Sequence, residues 1–80
     1  MTVTVRFFAS YAEVLGRHSL VLNLMRGATV HDVMTHVAGL PGAARVPPAP
    51  LIAVNLSYAK HSQILADGDE IALIPPVAGG

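Results

Sequence analysis

The histidines are the side chains best suited to acid–base or metal chemistry at neutral pH. The sequence has four of them: His18, His31, His36 and His61. His31 and His36 are five positions apart, a spacing that does not bring two side chains to one face of a helix. Because a zinc site in an enzyme or a structural module uses at least three convergent protein ligands, we predict surface histidines and no bound metal.

The other reactive residue types have simpler explanations. No serine has the sequence context of a nucleophile motif, and Ser10 with Glu13 has the spacing of a helix capping box. Asp67 and Asp69 flank Gly68, which predicts a tight polar turn, and the other ligands of a calcium loop are missing. The absence of cysteine excludes a disulfide, a thiolate ligand and a cysteine nucleophile. We therefore expect no self-contained active site.

The end of the chain is the remaining chemical feature. Pro75 and Pro76 favour an extended polyproline conformation, and the residues that follow them can reach about 13 Å. Gly79 and Gly80 have no side chains, so this end could enter a narrow slot in another protein and present the carboxylate of Gly80 to a reacting group. An inert terminus explains the two glycines equally well, because chain ends are commonly disordered.

The composition indicates a small apolar domain with balanced charge. The chain has 80 residues, which fit one domain, and its hydrophobic content of 52% is too high for a disordered protein. Five basic residues offset five acidic ones without forming a run, which excludes the cationic surface of a nucleic-acid-binding protein. No signal peptide or long apolar stretch is present, so we expect a cytoplasmic location and no membrane partner.

Two alternating segments and a short helix make up the first part of the chain. Residues 2–8 and 19–24 alternate between apolar and polar side chains, which predicts two strands. A helical turn is expected between them at residues 10–15, stopped by Gly16. The apolar faces carry Val3, Val5 and Phe7 in the first strand and Leu20, Leu22 and Leu24 in the second.

The main helix is predicted after Gly27. Thr29 and Asp32 form an N-cap pattern, and the helix is expected to end near Gly39. Its apolar face has the spacing of an amphipathic helix and consists of Val30, Val33, Met34 and Val37.

The second part of the chain adds two strands to the predicted sheet. Residues 39–50 contain four prolines and are expected to form a loop. Residues 51–55 and 70–74 read as strands, separated by a mainly irregular segment at 58–65. The order β, β, α, β, β predicts an α+β fold in which a small mixed sheet packs on one main helix.

The segment from Asp67 to Gly80 resembles the C-terminal signature of the small subunit of molybdopterin synthase, the MoaD-like sulfur carriers. Residues 5–9 (VRFFA) and 13–16 (EVLG) are similar to that family's first strand and turn, and residues 53–55 (AVN) to its middle strand. The resemblance covers most of the chain and is weakest in the proline-rich loop. It implies a ubiquitin-like β-grasp domain at residues 1–74 and a flexible tail at residues 75–80.

The resemblance also implies a chemistry for the terminus. In that family, an ATP-dependent activating enzyme adenylates the terminal carboxylate, here on Gly80, and a sulfur donor protein converts the adenylate to a thiocarboxylate. The large subunit, in a heterotetramer, then transfers the sulfur to cyclic pyranopterin monophosphate and forms the dithiolene of molybdopterin. The present chain would be a non-catalytic subunit and co-substrate with no permanently bound cofactor, and the large subunit would supply the catalytic residues.

A partner-binding surface follows from strand parity and from the resemblance. Phe8 and Ile74 lie on the strand faces opposite the predicted core, and Tyr58 follows the middle strand. These three positions match a hydrophobic contact patch of the family, although lone exposed apolar residues are also common. The partner-binding set is completed by the tail residues Pro75, Pro76, Val77 and Ala78. Many relatives have a basic residue at the position of Ala12, which bears on how the activating enzyme docks, and Arg17 is the nearby basic residue here.

Three alternatives stay open at this point. The first is a sulfur carrier for another pathway, such as thiamine, cysteine or transfer-RNA thiolation, with the same chemistry at Gly80. The second is a ubiquitin-like modifier joined to target lysines through Gly80. The third is an interaction module with an inert tail, for which removal of Gly79 and Gly80 would change nothing.

Overall fold

The computed structural model describes residues 1–76 and confirms the predicted α+β architecture. The strands are β1 (Thr2–Phe7), β2 (Ser19–Asn23), β3 (Leu51–Val54), β4 (Ser57–Tyr58) and β5 (Glu70–Ile74). The helices are α1 (Ser10–Leu15) and α2 (Val30–Ala38), and one turn of 3₁₀ helix forms at Ala43–Arg45. The sheet order is β2-β1-β5-β3-β4, in which β1 and β5 are parallel and the other neighbours are antiparallel.

One face of the sheet forms the hydrophobic core with α2. The registers Val5↔Ile71 and Phe7↔Leu73 place the apolar side chains of β1 and β5 in rows on this inner face. Ile52 of β3 extends the second row, because it pairs with Leu73. The helix contributes its predicted apolar stripe, of which Val30, Val33 and Val37 are buried and Met34 is partly buried.

The N-terminus of α2 has the predicted cap. The backbone N–H of Thr29 donates to the carboxylate of Asp32 at 2.8 Å, and the Thr29 hydroxyl donates to the same oxygen at 3.2 Å. Hydrogen bonds to the charged form favour ionisation, so the backbone bond from Thr29 lowers the pKa of Asp32 below its usual value, with His31 and His36 acting in the same direction.

This lowered pKa predicts an acid-dependent contribution of Asp32 to stability. A carboxylate with a lower pKa in the folded state stabilises the fold above the unfolded-state pKa, about 3.9 for aspartate, and loses that contribution as pH falls through the folded-state value. We expect Asp32→Asn to lower the free energy of unfolding at pH 7, and the difference to shrink as pH falls below about 4. Urea unfolding across this range measures the effect.

Glu13→Gln is the control for general loss of a negative charge, because Glu13 is an exposed acid on the other helix. A difference between the Asp32→Asn variant and the original protein that stays constant from pH 7 to pH 3 would contradict this origin of the acid dependence.

The predicted capping box of α1 is wrong, although the helix ends at Leu15 as predicted. Ala9 is the N-cap and Ser10 is already helical, so Ser10 and Glu13 are one position too late to form the box. The reason is that the N–H of Phe8 still bonds to Leu73 of the sheet at 3.2 Å. The chain must therefore turn sharply at Ala9, which has φ 49° and ψ −126°. Gly16 ends the helix in the left-handed conformation, as predicted.

The proline-rich segment is a loop that contains a single 3₁₀ turn. It is held against α1 by a hydrogen bond from the Tyr11 hydroxyl to the carbonyl of Pro47. Tyr11 is buried, and this burial raises the pKa of its hydroxyl. The burial of Tyr11 could not be predicted from the sequence, because a six-residue helix is too short for its periodicity to indicate which side is covered.

The β3–β4 hairpin contains a strained residue. Val54 pairs with Ser57, which leaves a two-residue loop with positive φ at both Asn55 (48°) and Leu56 (73°). Such φ values are those of a type I′ turn, which favours asparagine and glycine. Asn55 suits the position, and its side chain donates to Asp69 at 2.8 Å. Leu56 is 95% exposed and makes no compensating contact with the core.

Leu56→Gly is therefore expected to stabilise the protein. The left-handed conformation costs a side-chain-bearing residue roughly 1–2 kcal/mol, and the greater freedom of glycine in the unfolded chain offsets about 0.5–1 kcal/mol of the gain. We expect a net increase of about 0.5–1 kcal/mol in the free energy of unfolding, measured by urea titration. Leu56→Ala removes the exposed apolar surface but keeps the strain, so an equal gain in that variant would contradict the argument.

Candidate functional site

Within residues 1–76, no helix packs against the second face of the sheet, and this face carries an apolar patch. Phe8 follows β1 on this outer face and is 44% exposed, and Tyr58 of β4 is 78% exposed. Ile74, at the end of β5, is partly buried. It pairs with Leu51 of β3, which is 38% exposed. We call Phe8, Leu51, Tyr58 and Ile74 the outer-face patch.

The strand registers show how the patch is assembled. Phe7 pairs with Leu73, so the next residues along the two parallel strands, Phe8 and Ile74, are also neighbours. Tyr58 pairs with Ala53, whose small side chain lies between the two ends of the patch. The structure thus places the three predicted apolar residues on one face of the sheet.

A polar group borders this apolar surface. Arg6 and Glu70 form an ion pair at 3.1 Å on the outer face of β1 and β5. Both side chains are about half exposed, so the pair adds little to stability. An apolar centre with a polar border is the usual composition of a protein–protein contact.

Leu51 is the patch residue that sequence reasoning missed. It stands directly after the proline-rich loop, where alternation over four residues does not show which face is buried. Its place on the outer face follows only from the pairing with Ile74. Leu51 and Ala53 are two residues apart and therefore lie on the same face of β3. To predict that this is the outer face, one would have had to know which strand pairs with β3.

The last strand leads out of the sheet beside the patch. β5 lies between β1 and β3 and ends at Ile74, and Pro75 is then partly buried while Pro76 is exposed. Proline lacks the N–H group that would continue the strand pairing. The predicted tail residues Val77, Ala78, Gly79 and Gly80 lie outside the described residues.

The acidic turn before β5 has a structural role, in keeping with the turn predicted from the sequence. The carboxylate of Asp67 accepts the N–H of Thr2 at 2.6 Å, and that of Asp69 accepts the N–H of Ala66 at 2.8 Å. Within residues 1–76, no three His, Cys, Asp or Glu side chains lie close enough to hold a metal ion together.

A depression of about 410 Å³ adjoins the patch at the start of α1. Ala12 is buried at its wall, and Arg17 is exposed nearby in the chain. The lining residues are Arg6, Phe7, Phe8, Ala9, Ala12, Glu13 and His18.

A protein-family model decides the relationship of this chain. The model described as the ThiS family matches residues 5–80, which is nearly the whole sequence. The chain belongs to the ThiS family. It is also 34% identical over 83 residues to the molybdopterin synthase sulfur carrier subunit of Chlamydomonas reinhardtii, with all of both chains covered. The family predicted from the sequence is therefore confirmed.

Solved structures confirm the ubiquitin-like β-grasp fold. The crystal structure of SAMP1, a small archaeal modifier protein from Haloferax volcanii, matches with a TM-score of 0.86 and 30% identity over all of both chains. One chain of the complex between subunits 1 and 2 of the molybdopterin-converting factor from Helicobacter pylori also matches. Its TM-score is 0.75 and its identity is 26%, again over the full length of both chains. No helix within residues 1–76 has the length and apolar character needed to cross a membrane.

Proposed function

We propose that this ThiS-family chain is the sulfur carrier subunit of molybdopterin synthase, with sulfur carried as a thiocarboxylate on Gly80. The observation that supports this most directly is the full-length similarity to a molybdopterin synthase sulfur carrier subunit. The geometry agrees with a carrier, because the last strand, β5, is the central strand of the sheet and ends beside an exposed apolar patch.

The chemistry requires activation of the terminal carboxylate. A free α-carboxylate is an anion at neutral pH and a poor electrophile, so adenylation by an ATP-dependent enzyme first converts it to a mixed anhydride. Sulfur at the oxidation level of sulfide, supplied by a donor protein, then attacks the activated carbonyl carbon, displaces AMP and leaves the C-terminal thiocarboxylate. The thiocarboxylate sulfur, a soft nucleophile, attacks a carbon of the cyclic pyranopterin monophosphate bound by the large subunit and displaces an oxygen group. Water then cleaves the resulting thioester, which leaves the sulfur on the pterin and regenerates the carboxylate of Gly80. The sequence contains no cysteine, so Gly80 gives the chain a sulfur-carrying group that no side chain supplies.

The outer-face patch is the proposed docking surface for the large subunit. The patch joins directly to Pro75, so a partner that covers Phe8 and Ile74 also receives the tail. The solved complex from Helicobacter pylori supports a partner subunit for a protein of this fold. A heterotetramer of two small and two large subunits is also proposed, as the resemblance to the MoaD-like family implies.

A second candidate function is conjugation to other proteins. The similarity to SAMP1, a small archaeal modifier protein, favours it. The adenylate at Gly80 would then be attacked by a lysine amine and leave a stable isopeptide bond instead of a thiocarboxylate.

A single-turnover assay tests the first proposal. The protein is prepared with a C-terminal thiocarboxylate, mixed with a molybdopterin synthase large subunit and cyclic pyranopterin monophosphate, and dithiolene formation is followed. The same protein with an ordinary carboxylate is the matched control. Product from the thiocarboxylate form alone is expected.

Failure has a distinct meaning in this design. If the large subunit is active with its own small subunit but gives no product here, the molybdopterin assignment is wrong. Isopeptide-linked species of higher mass, seen under denaturing conditions after incubation with an activating enzyme and ATP, would then favour the modifier function.

A further inference from the structure

His31 and His61 form a pair that their separation in the sequence does not reveal. Their ring centroids are 6.3 Å apart, and the ring planes are inclined by 41°. Both residues are exposed, so water and ions reach the space between the rings. Neither ring belongs to the core, and neither is used in the function proposed above.

The backbone holds the two histidines in place. The N–H of His31 donates to the carbonyl of His61 at 2.9 Å, and the N–H of Val30 donates to the carbonyl of Gln63 at 3.0 Å. Thr29 and Ile64 add an antiparallel bridge. The first turn of α2 is therefore fixed to the segment before β5, while the two exposed imidazoles lie outside the core.

The separation of the rings suits a shared metal ion. A zinc–nitrogen bond is about 2.0–2.1 Å and a ring nitrogen lies about 1.2 Å from its centroid, so two imidazoles on one tetrahedral ion have centroids about 5.3 Å apart. The observed distance of 6.3 Å is about 1 Å longer, and rotation of the two exposed side chains can close this difference. We propose that His31 and His61 together bind one divalent transition-metal ion of the zinc, nickel and copper class, with water as the remaining ligands.

The charges around the pair are balanced. The N-terminus of α2 carries a partial positive charge that opposes a cation, and Lys60 precedes His61 in the chain. Asp32 supplies a negative charge in the same helical turn. Neutral imidazole is a good ligand for this class of metal ion, whereas carboxylate and carbonyl ligands suit magnesium and calcium. With only two protein ligands, the site is weaker than a structural zinc site.

The consequence of binding is local stabilisation that is independent of sulfur transfer. The pair involves α2, which covers the inner face of the sheet, whereas the outer-face patch lies on the opposite face. A bound ion links the start of α2 to residues 61–64 and leaves the patch and the tail free. This inference therefore holds or fails separately from the proposed function.

Titration of the full-length protein with Zn²⁺ at pH 7.5 tests the proposal, followed by calorimetry and by the NMR signals of the imidazole nitrogens. One equivalent of Zn²⁺ is expected to shift the signals of His31 and His61 in a saturable way. His31→Asn and His61→Asn are each expected to weaken binding about tenfold or more, because the second ligand no longer acts at high effective concentration. His18→Asn and His36→Asn are matched controls and should change the affinity by less than about twofold.

None of the four histidine substitutions removes a core side chain or a backbone hydrogen bond, and a two-dimensional amide spectrum of each variant verifies the fold. Equal losses in all four variants, or shifts of all four histidines with similar affinity, would overturn the proposal in favour of dispersed surface binding. The absence of saturable binding to the original protein would overturn it as well.

Discussion

Deletion of Gly80 is expected to abolish measurable sulfur transfer, although the shortened chain still ends in a glycine. The deletion moves the terminal carboxylate back by about 3.3–3.6 Å. Displacement of a reacting group by about 1 Å can reduce a rate about 100-fold, so a loss of more than 1,000-fold is expected. The measurement is the single-turnover dithiolene assay, with the variant carrying a chemically introduced thiocarboxylate.

Two variants at Ala78 separate the length of the tail from its terminal residues. Deletion of Ala78 keeps Gly79 and Gly80 but shortens the tail by the same amount, so it should fail as severely as deletion of Gly80. Ala78→Gly keeps the length and should retain most of the activity. If the Gly80-deleted protein transferred sulfur at a rate near that of the full-length protein, the position of the reacting group would not depend on the length of the tail.

Phe8→Asp is expected to weaken binding of the large subunit by about 100-fold, which corresponds to about 2.7 kcal/mol. Phe8 is 44% exposed in the free chain, so a partner that covers the patch removes the rest of its apolar surface from water. A carboxylate at that position would be buried without a partner, which carries a large desolvation cost. The side chain of Phe8 lies outside the core, so the fold should persist. Calorimetric titration with a large subunit measures the affinity.

Met25→Asp is the matched control for this substitution. Met25 is 86% exposed and lies in the turn before α2, away from the outer-face patch. The same charge introduced there should change the affinity by less than about twofold. Equal affinities of the Phe8→Asp and Met25→Asp variants would remove the patch from the proposed interface.

The positions of the strands could be predicted because their faces differ so clearly. Val3, Val5 and Phe7 alternate with residues that point to the outer face, and Ile71 and Leu73 do the same in the last strand. The capping residues Thr29 and Asp32 fixed the start of α2 in the same way. Local chemistry determines these features, so no knowledge of the tertiary structure was needed.

The features that were missed depend on contacts between distant parts of the chain. The start of α1 was placed one residue late because the bond from Phe8 to Leu73 is invisible in the local pattern. Leu51 joins the patch only through its pairing with Ile74, and His31 meets His61 only through the tertiary fold. The tail was predicted to be functional from its sequence. Its proposed role rests on the family and on β5, which ends beside the outer-face patch.

The central position of β5 has a consequence for the folding of the protein during its synthesis. Among residues 1–76, the strand that joins β1 to β3 is the last along the chain, so this sheet closes only after residues 70–74 have left the ribosome. A chain that is cut short before Ile71 and Leu73 lacks two of the most deeply buried side chains and cannot complete its core. Because β1 and β3 are joined only through β5, a chain without this strand would lack both the closed sheet and the outer-face patch that we propose as the docking surface.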